Sequence, residues 1–190
     1  MGRVISIVSK PKTGKTVSAC TFPKPLLMLD FDRGFESVMN TKNKNGSLIV
    51  PDWKEITVIE FYKKQQAPLS FKSYASTSDK TKGASPAPEY TKGAVEVIQQ
   101  YNNVMNELFD KGTAGGNGGY KTLVIDLLTA LFRVWKEALL NVNSIGELRR
   151  GDYMTLEGIL ANQFIPNLKA LSDKIEWIIL TNHEDSDTTE

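Results

Sequence analysis

The stretch Ser9-Lys-Pro-Lys-Thr-Gly-Lys-Thr16 lies directly behind a run of Val and Ile at residues 4–8. That order limits the fold more than any other feature of the chain. A short β-branched run has the profile of a strand buried in a parallel sheet. The polar, lysine-rich turn at residues 9–14 cannot continue it, and residues 15–20 then open a short helix. A strand, a tight loop and a helix in that order form one half of a βαβ unit, whose next strand returns parallel to the first.

The rest of the chain repeats the alternation. A second apolar run at residues 25–30 ends in carboxylates at Asp30 and Asp32, and residues 56–61 alternate as a third strand. Val97, Ile98, Tyr101, Val104, Met105, Leu108 and Phe109 fall at helical spacing within residues 94–111. The glycine-rich stretch at 112–119 ends that helix. Residues 122–126 form another apolar strand closed by Asp126, followed by a helix over 127–140. A helix over 153–172 bends near Pro166, and a final strand covers 177–181. Strands and helices in alternation predict an α/β fold with a mostly parallel central sheet. The polar residues behind four strands, at Ser9, Asp30, Asp126 and Asn182, should meet at the carboxyl edge of that sheet, where such folds bind ligands.

The octapeptide carries specific chemistry. It fits the phosphate-binding pattern G-x-x-x-x-G-K-[ST] at every position except the first, where Ser9 replaces Gly. Backbone amides of Ser9, Lys10, Pro11, Lys12, Thr13, Gly14, Lys15, Thr16 and Val17, Pro11 excepted because it has no N–H, are expected to wrap a phosphate chain. Lys15 would reach the β- and γ-phosphates, and Thr16 would offer a hydroxyl to Mg²⁺. Asp126, behind Leu123-Val-Ile, suits the second metal ligand, although a strand-end Asp also suits a helix cap. Ser9 is small enough for the loop's torsions, so altered loop detail is expected, not loss of binding.

Four segments together resemble RecA-fold ATPases, most closely the phage nucleotide-binding proteins linked to single-strand annealing recombination. They are residues 9–16, Leu27-Met-Leu-Asp-Phe-Asp-Arg-Gly34, Thr122-Leu-Val-Ile-Asp-Leu-Leu-Thr129 and Ile178-Ile-Leu-Thr-Asn-His-Glu184. The resemblance implies a three-layer P-loop fold of RecA type, ATP and Mg²⁺ as cofactors, and ATP hydrolysis in DNA recombination. Asp32 stands where that family places the acid that activates the attacking water, one methylene shorter than the family's usual Glu; Asp30 would support it. His183 stands at the polar position that senses the γ-phosphate, with Asn182 as its helper. The implied partners are single-stranded DNA, further copies of the chain and a single-strand-binding protein, in the cytoplasm of a host cell if the chain is phage-encoded. A RecA-like core continues past its sensor strand, whereas only residues 184–190 follow here, so a C-terminally truncated form is expected.

Composition narrows the remaining choices. The 190 residues predict one domain, with residues 63–92 as a flexible insertion. One Cys and one His cannot form an internal disulfide or a zinc site. With 23 basic against 22 acidic residues, global charge selects no partner, and no apolar run is long enough to span a membrane. The insertion places six lysines among Phe71, Tyr74 and Tyr90, which suits single-strand binding and equally a solvated loop. Arg149 and Arg150 are open to three readings: phosphate contact, an arginine finger given to a neighbouring subunit, or no specific role. Two rival functions also stay open. Lys10 and the Leu29-Asp-Phe-Asp32 stretch suit a ParA/MinD-like partitioning ATPase, although Pro11 and Lys12 depart from its signature. A nucleotide-gated DNA-binding module without appreciable turnover is the other.

Overall fold

The structure, a computed structural model, describes residues 2–61, 91–110, 119–143 and 150–184. Among these, five strands form one sheet: β1 (Arg3–Ser9), β2 (Leu26–Asp30), β3 (Ile56–Glu60), β4 (Thr122–Asp126) and β5 (Trp177–His183). Their order is β1-β5-β4-β2-β3, and every neighbouring pair is parallel. The helices are α1 (Lys15–Ala19), α2 (Phe35–Asn40), α3 (Thr91–Asp110), α4 (Leu128–Asn143), α5 (Arg150–Ile159) and α6 (Ile165–Leu171).

The two-residue period of the strands divides the core into two layers. Leu27, Leu29, Leu123, Ile125 and Ile178 face Tyr101 and Met105 of α3, Leu131 and Trp135 of α4, and Leu168 and Leu171 of α6. Leu26, Met28, Val124 and Ile179 face Val17 and Ala19 of α1 and Val38 of α2. The sheet is therefore the middle of three layers, as expected from the sequence. The central strands β2 and β4 are buried along their whole length, which is why both read as unbroken apolar runs. Burial of each large side chain contributes roughly 1.5–3 kcal/mol. Aromatic contacts tie the larger layer together: Phe31 stacks on Phe61 at 4.5 Å, and Trp135 meets Phe164 edge-on at 5.4 Å.

Several local expectations change. β1 was expected to be a buried strand, yet it lies at the edge of the described sheet, with Val4 and Val8 exposed by 45% and 55%. Only its Ile5 and Ile7 pack on the α1–α2 layer. The helix expected over 153–172 divides into α5, a π-helical turn at Leu160–Phe164, and α6. Pro166 lacks an amide donor, so the helix ladder is interrupted one turn before it. The last strand runs two residues beyond the expected end, because parallel pairing carries on to Ser9 opposite His183. Most of the 63–92 insertion and of the 112–119 glycine stretch lies outside the described residues, but Thr91 and Lys92 already belong to α3.

Candidate functional site

Register brings the strand ends together. Asp30 is paired with Asp126 across β2 and β4, and Ser9 with His183 across β1 and β5. Above this edge lies a cavity of about 700 Å³, lined among others by Lys12, Thr13, Gly14, Lys15, Thr16, Val17, Asp32, Asp126 and His183. That volume is within the range of small-molecule sites, roughly 300–1,000 Å³. Nine expected site residues thus converge. Ser9, Lys10 and Pro11 do not line the cavity; two of them act through their carbonyl oxygens.

The loop turns through left-handed backbone at Lys12 (φ 63°) and Gly14 (φ 89°). Gly14 is needed for that torsion and not for space, since a Cβ there would meet nothing within 4 Å. Ser9, the departure from the phosphate-loop pattern, braces the loop. Thr13 Oγ1 donates to the Lys10 carbonyl at 2.8 Å, so the Ser9 hydroxyl donates to Thr13 Oγ1, 2.5 Å away.

Lys15 is buried, and its ammonium donates to the carbonyls of Ser9 and Lys10 at 2.9 and 2.8 Å. Its third contact is His183 Nδ1 at 3.2 Å. An ammonium has no acceptor, so Nδ1 accepts and neutral His183 carries its proton on Nε2. The loop cation and the only histidine are therefore one hydrogen-bonded unit.

Thr16 Oγ1 donates toward Asp126, 2.9 Å from Oδ2 and 3.1 Å from Oδ1. Thr181, fully buried on β5, donates a second hydroxyl to Asp126 Oδ1. Burial raises the Asp126 pKa; the Thr181 and Thr16 hydrogen bonds oppose the rise, and the nearby Asp30 and Asp32 charges add to it. Asp126 is a buried carboxylate held by two hydroxyls, and its side chain does not cap the helix that follows. A hydroxyl and a carboxylate side by side are hard oxygen donors, a donor set that fits Mg²⁺. Among the described residues no three His, Cys, Asp or Glu side chains gather as a metal cage. Mg²⁺ rarely uses such cages, since it keeps waters and substrate phosphate oxygens as ligands.

Asp30 and Asp32 have different surroundings. Asp30 is fully buried, and its carboxylate accepts the backbone amides of Asp32, Gly34 and Phe35 at 3.0–3.1 Å. Burial raises its pKa, against the lowering effect of those three amides. This folded turn aims Asp32 into the cavity and presses Gly34 against the Thr16–Asp126 pair. A Cβ on Gly34 would come within 2.1 Å of Asp126 Oδ2 and 2.8 Å of Thr16 Oγ1. Asn182 is turned away to accept the Thr129 hydroxyl at the start of α4. Arg150 is the exposed first residue of α5, and Arg149 lies outside the described residues.

Thr181, Gly34, Ser37, Thr41 and Ile49 belong to the site but are given no role by the sequence. Thr181 and Gly34 lie within two of the resembling segments without an assigned function, and Ser37, Thr41 and Ile49 lie in none. The role of Gly34 comes only from the packing of its turn on Asp126 and Thr16.

A parallel sheet with a phosphate loop behind its edge strand and a hydroxyl–carboxylate pair beside it defines a P-loop nucleoside triphosphatase fold. Residues 1–190 match the family described as an AAA domain, and the chain belongs to that family. It is also similar to a solved structure described as a prototypical ATPase from the type III secretion system of pathogenic bacteria. That likeness has a TM-score of 0.42 and 18% identity, and it covers 100% of this chain and 47% of that one. The chain thus spans about half the length of that protein. No curated protein sequence matches it. Among the described residues no helix is long and apolar enough to cross a membrane.

Proposed function

We propose that the chain binds ATP with Mg²⁺ at residues 9–17 and hydrolyses it. The observation that carries this reading is the meeting of Lys15, the Thr16–Asp126 pair, Asp32 and His183 in one cavity. The loop amides and Lys15 would hold the β- and γ-phosphates, with Lys15 leaving its carbonyl contacts for phosphate oxygens. Thr16 and Asp126 would hold Mg²⁺, which neutralises phosphate charge when bound. Asp32 would orient a water in line with the γ-phosphorus and take its proton as the bond to the β-phosphate oxygen breaks. His183, bonded to Lys15, would report the presence of the γ-phosphate, its Nε2–H being the available donor.

Phosphate release and ATP binding by the wild type, Lys15→Ala and Asp32→Asn test the reading. The expected result is loss of binding in the first variant and retained binding with slow turnover in the second. Turnover by Lys15→Ala equal to wild type would overturn the phosphate-loop assignment. Tight binding by the wild type without turnover would favour a nucleotide-gated binding module instead.

Action on single-stranded DNA in phage-type recombination is the finer reading, and the resemblance of the four sequence segments supports it. Stimulation of phosphate release by single-stranded DNA is its test, and an unchanged rate at saturating DNA would count against it. The partitioning alternative draws on Lys10, whose carbonyl bonds Lys15 but whose side chain does not line the cavity. Nucleotide-dependent dimerisation lost in Lys10→Ala would favour that alternative.

A further inference from the structure

The cavity continues past the phosphate and metal groups. Besides those groups, its wall includes Val17, Ser18 and Thr21 from α1 and the turn after it, and Ser37, Thr41 and Ile49 from α2 and the chain after it. Three of the four hydroxyls there have already committed their protons. Thr21 Oγ1 donates to the Ser18 carbonyl at 2.7 Å, Ser37 Oγ to the Gly34 carbonyl at 2.7 Å, and Thr41 Oγ1 to the Ser37 carbonyl at 2.6 Å. A carbonyl cannot donate, so these three oxygens offer the cavity only lone pairs. Ile49, 41% exposed, adds apolar surface, whereas Val17 is buried in the core. Among these residues there is no carboxylate, amide or aromatic side chain.

We infer that this part of the wall is the nucleoside subsite and that it accepts nucleoside triphosphates with little regard to the base. The inference rests on the triphosphate-binding reading above. Sugar hydroxyls are donors and meet the acceptor oxygens of Ser37, Thr41 and Thr21. The base gains apolar contact with Ile49, which every base can make through its π face. Strong discrimination between bases needs buried groups that pair with one base edge and stay unpaired against another. A wall of committed hydroxyls and one freely rotating Ser18 hydroxyl has no such groups. Adenine, guanine and cytosine triphosphates should therefore bind within about tenfold of one another, against the 10⁴-fold or more that a dedicated hydrogen-bonding site reaches.

The test is calorimetric titration of the full chain, in Mg²⁺, with ATP, GTP, CTP and inorganic tripolyphosphate. The three nucleotides are expected within about tenfold in Kd, with tripolyphosphate weaker than each. Ile49→Ala and Ser37→Ala should weaken all three nucleotides by a similar factor of about 3–10 and leave tripolyphosphate unchanged. ATP bound more than about a hundredfold tighter than GTP and CTP would overturn the inference while leaving the phosphate site standing. Equal weakening of tripolyphosphate by Ile49→Ala and Ser37→Ala would overturn it too. Failure of every ligand to bind, tripolyphosphate included, would overturn both the phosphate-site reading and this one.

Discussion

Gly34→Ala tests the proposed Mg²⁺ site through the Thr16–Asp126 pair that Gly34 borders. Gly34 has right-handed torsions, φ −65° and ψ −27°, which any residue adopts, so alanine introduces no backbone strain there. Removing the freedom of Gly would by itself stabilise the chain by about 0.4–1 kcal/mol. The cost comes from crowding against Asp126 and, less severely, against Thr16 Oγ1 at 2.8 Å and Thr16 Cγ2 at 3.0 Å. A Cβ would stand 2.1 Å from Asp126 Oδ2, whereas ordinary contact begins at 3.4 Å, so the carboxylate must retreat by 3.4 − 2.1 = 1.3 Å. Asp126 is buried and held by Thr16 and Thr181, so it cannot retreat without losing one of those bonds. Displacing a group that would hold the metal typically costs about 10–100-fold in metal affinity, and the upper end applies because Asp126 itself moves. At a nucleotide concentration of about 100 Kd, the wild type gains about 2.7 kcal/mol from ligand. A hundredfold weaker variant at that concentration gains only about 0.4 kcal/mol. For a chain of this length the thermal shift on adding Mg²⁺ and ATP should fall from about 5–10 °C to about 1–2 °C. Losing one of those bonds costs about 1.5–3 kcal/mol against the gain of about 0.4–1 kcal/mol, so the melting temperature without ligand should itself fall by about 1–10 °C. Thermal melts with and without Mg²⁺-nucleotide measure both. A variant that keeps the full nucleotide-induced shift would refute the reasoning, because the Gly34 backbone would then not border the proposed Mg²⁺ site.

Three further outcomes are expected. Asp30 and Asp126 both have raised pKa values, so across the window above the ordinary carboxylate range the folded state binds more protons than the unfolded state, and stability should fall as pH rises through it. Thr181→Val removes a donor to ionised Asp126, so it should steepen that fall and cost about 1.5–3 kcal/mol at neutral pH, with little cost in acid; melts across pH 4–8 would read it, and a pH-independent loss would speak against the assignment. Asp30→Ala strips the acceptor from three amides and should cost about 2–3 kcal/mol, with Asp30→Asn recovering part of it, since the Asn oxygen can still accept from Asp32 and Gly34. A denaturant melt measures the difference, and equal stability of the two variants would contradict it. Burial pushes the Cys20 thiol up to about 12, so a thiol reagent should label it far more slowly in native than in unfolded protein; rapid native labelling would show that the α1–β2 packing opens.

Sequence alone determined the local rules. The Val and Ile runs, the Gly14-Lys15-Thr16 loop and the strand-end Asp126 follow from spacing and residue type, because a strand's period and a phosphate loop's amide geometry are properties of a few neighbouring residues. The amphipathic stripe of α3 was legible for the same reason, and so was the meeting of strand ends at one edge. Tertiary structure decided what depends on register between distant segments. It separated Asp30 from Asp32, two carboxylates two residues apart, by burying one as the acceptor for a turn and leaving the other to line the cavity. It brought Thr181 onto Asp126 across 55 residues and Gly34 onto the same carboxylate, and it made β1 an edge strand despite its core-like composition. None of these is written locally: a hydroxyl or a glycine acquires its role only from the atom that the fold sets against it.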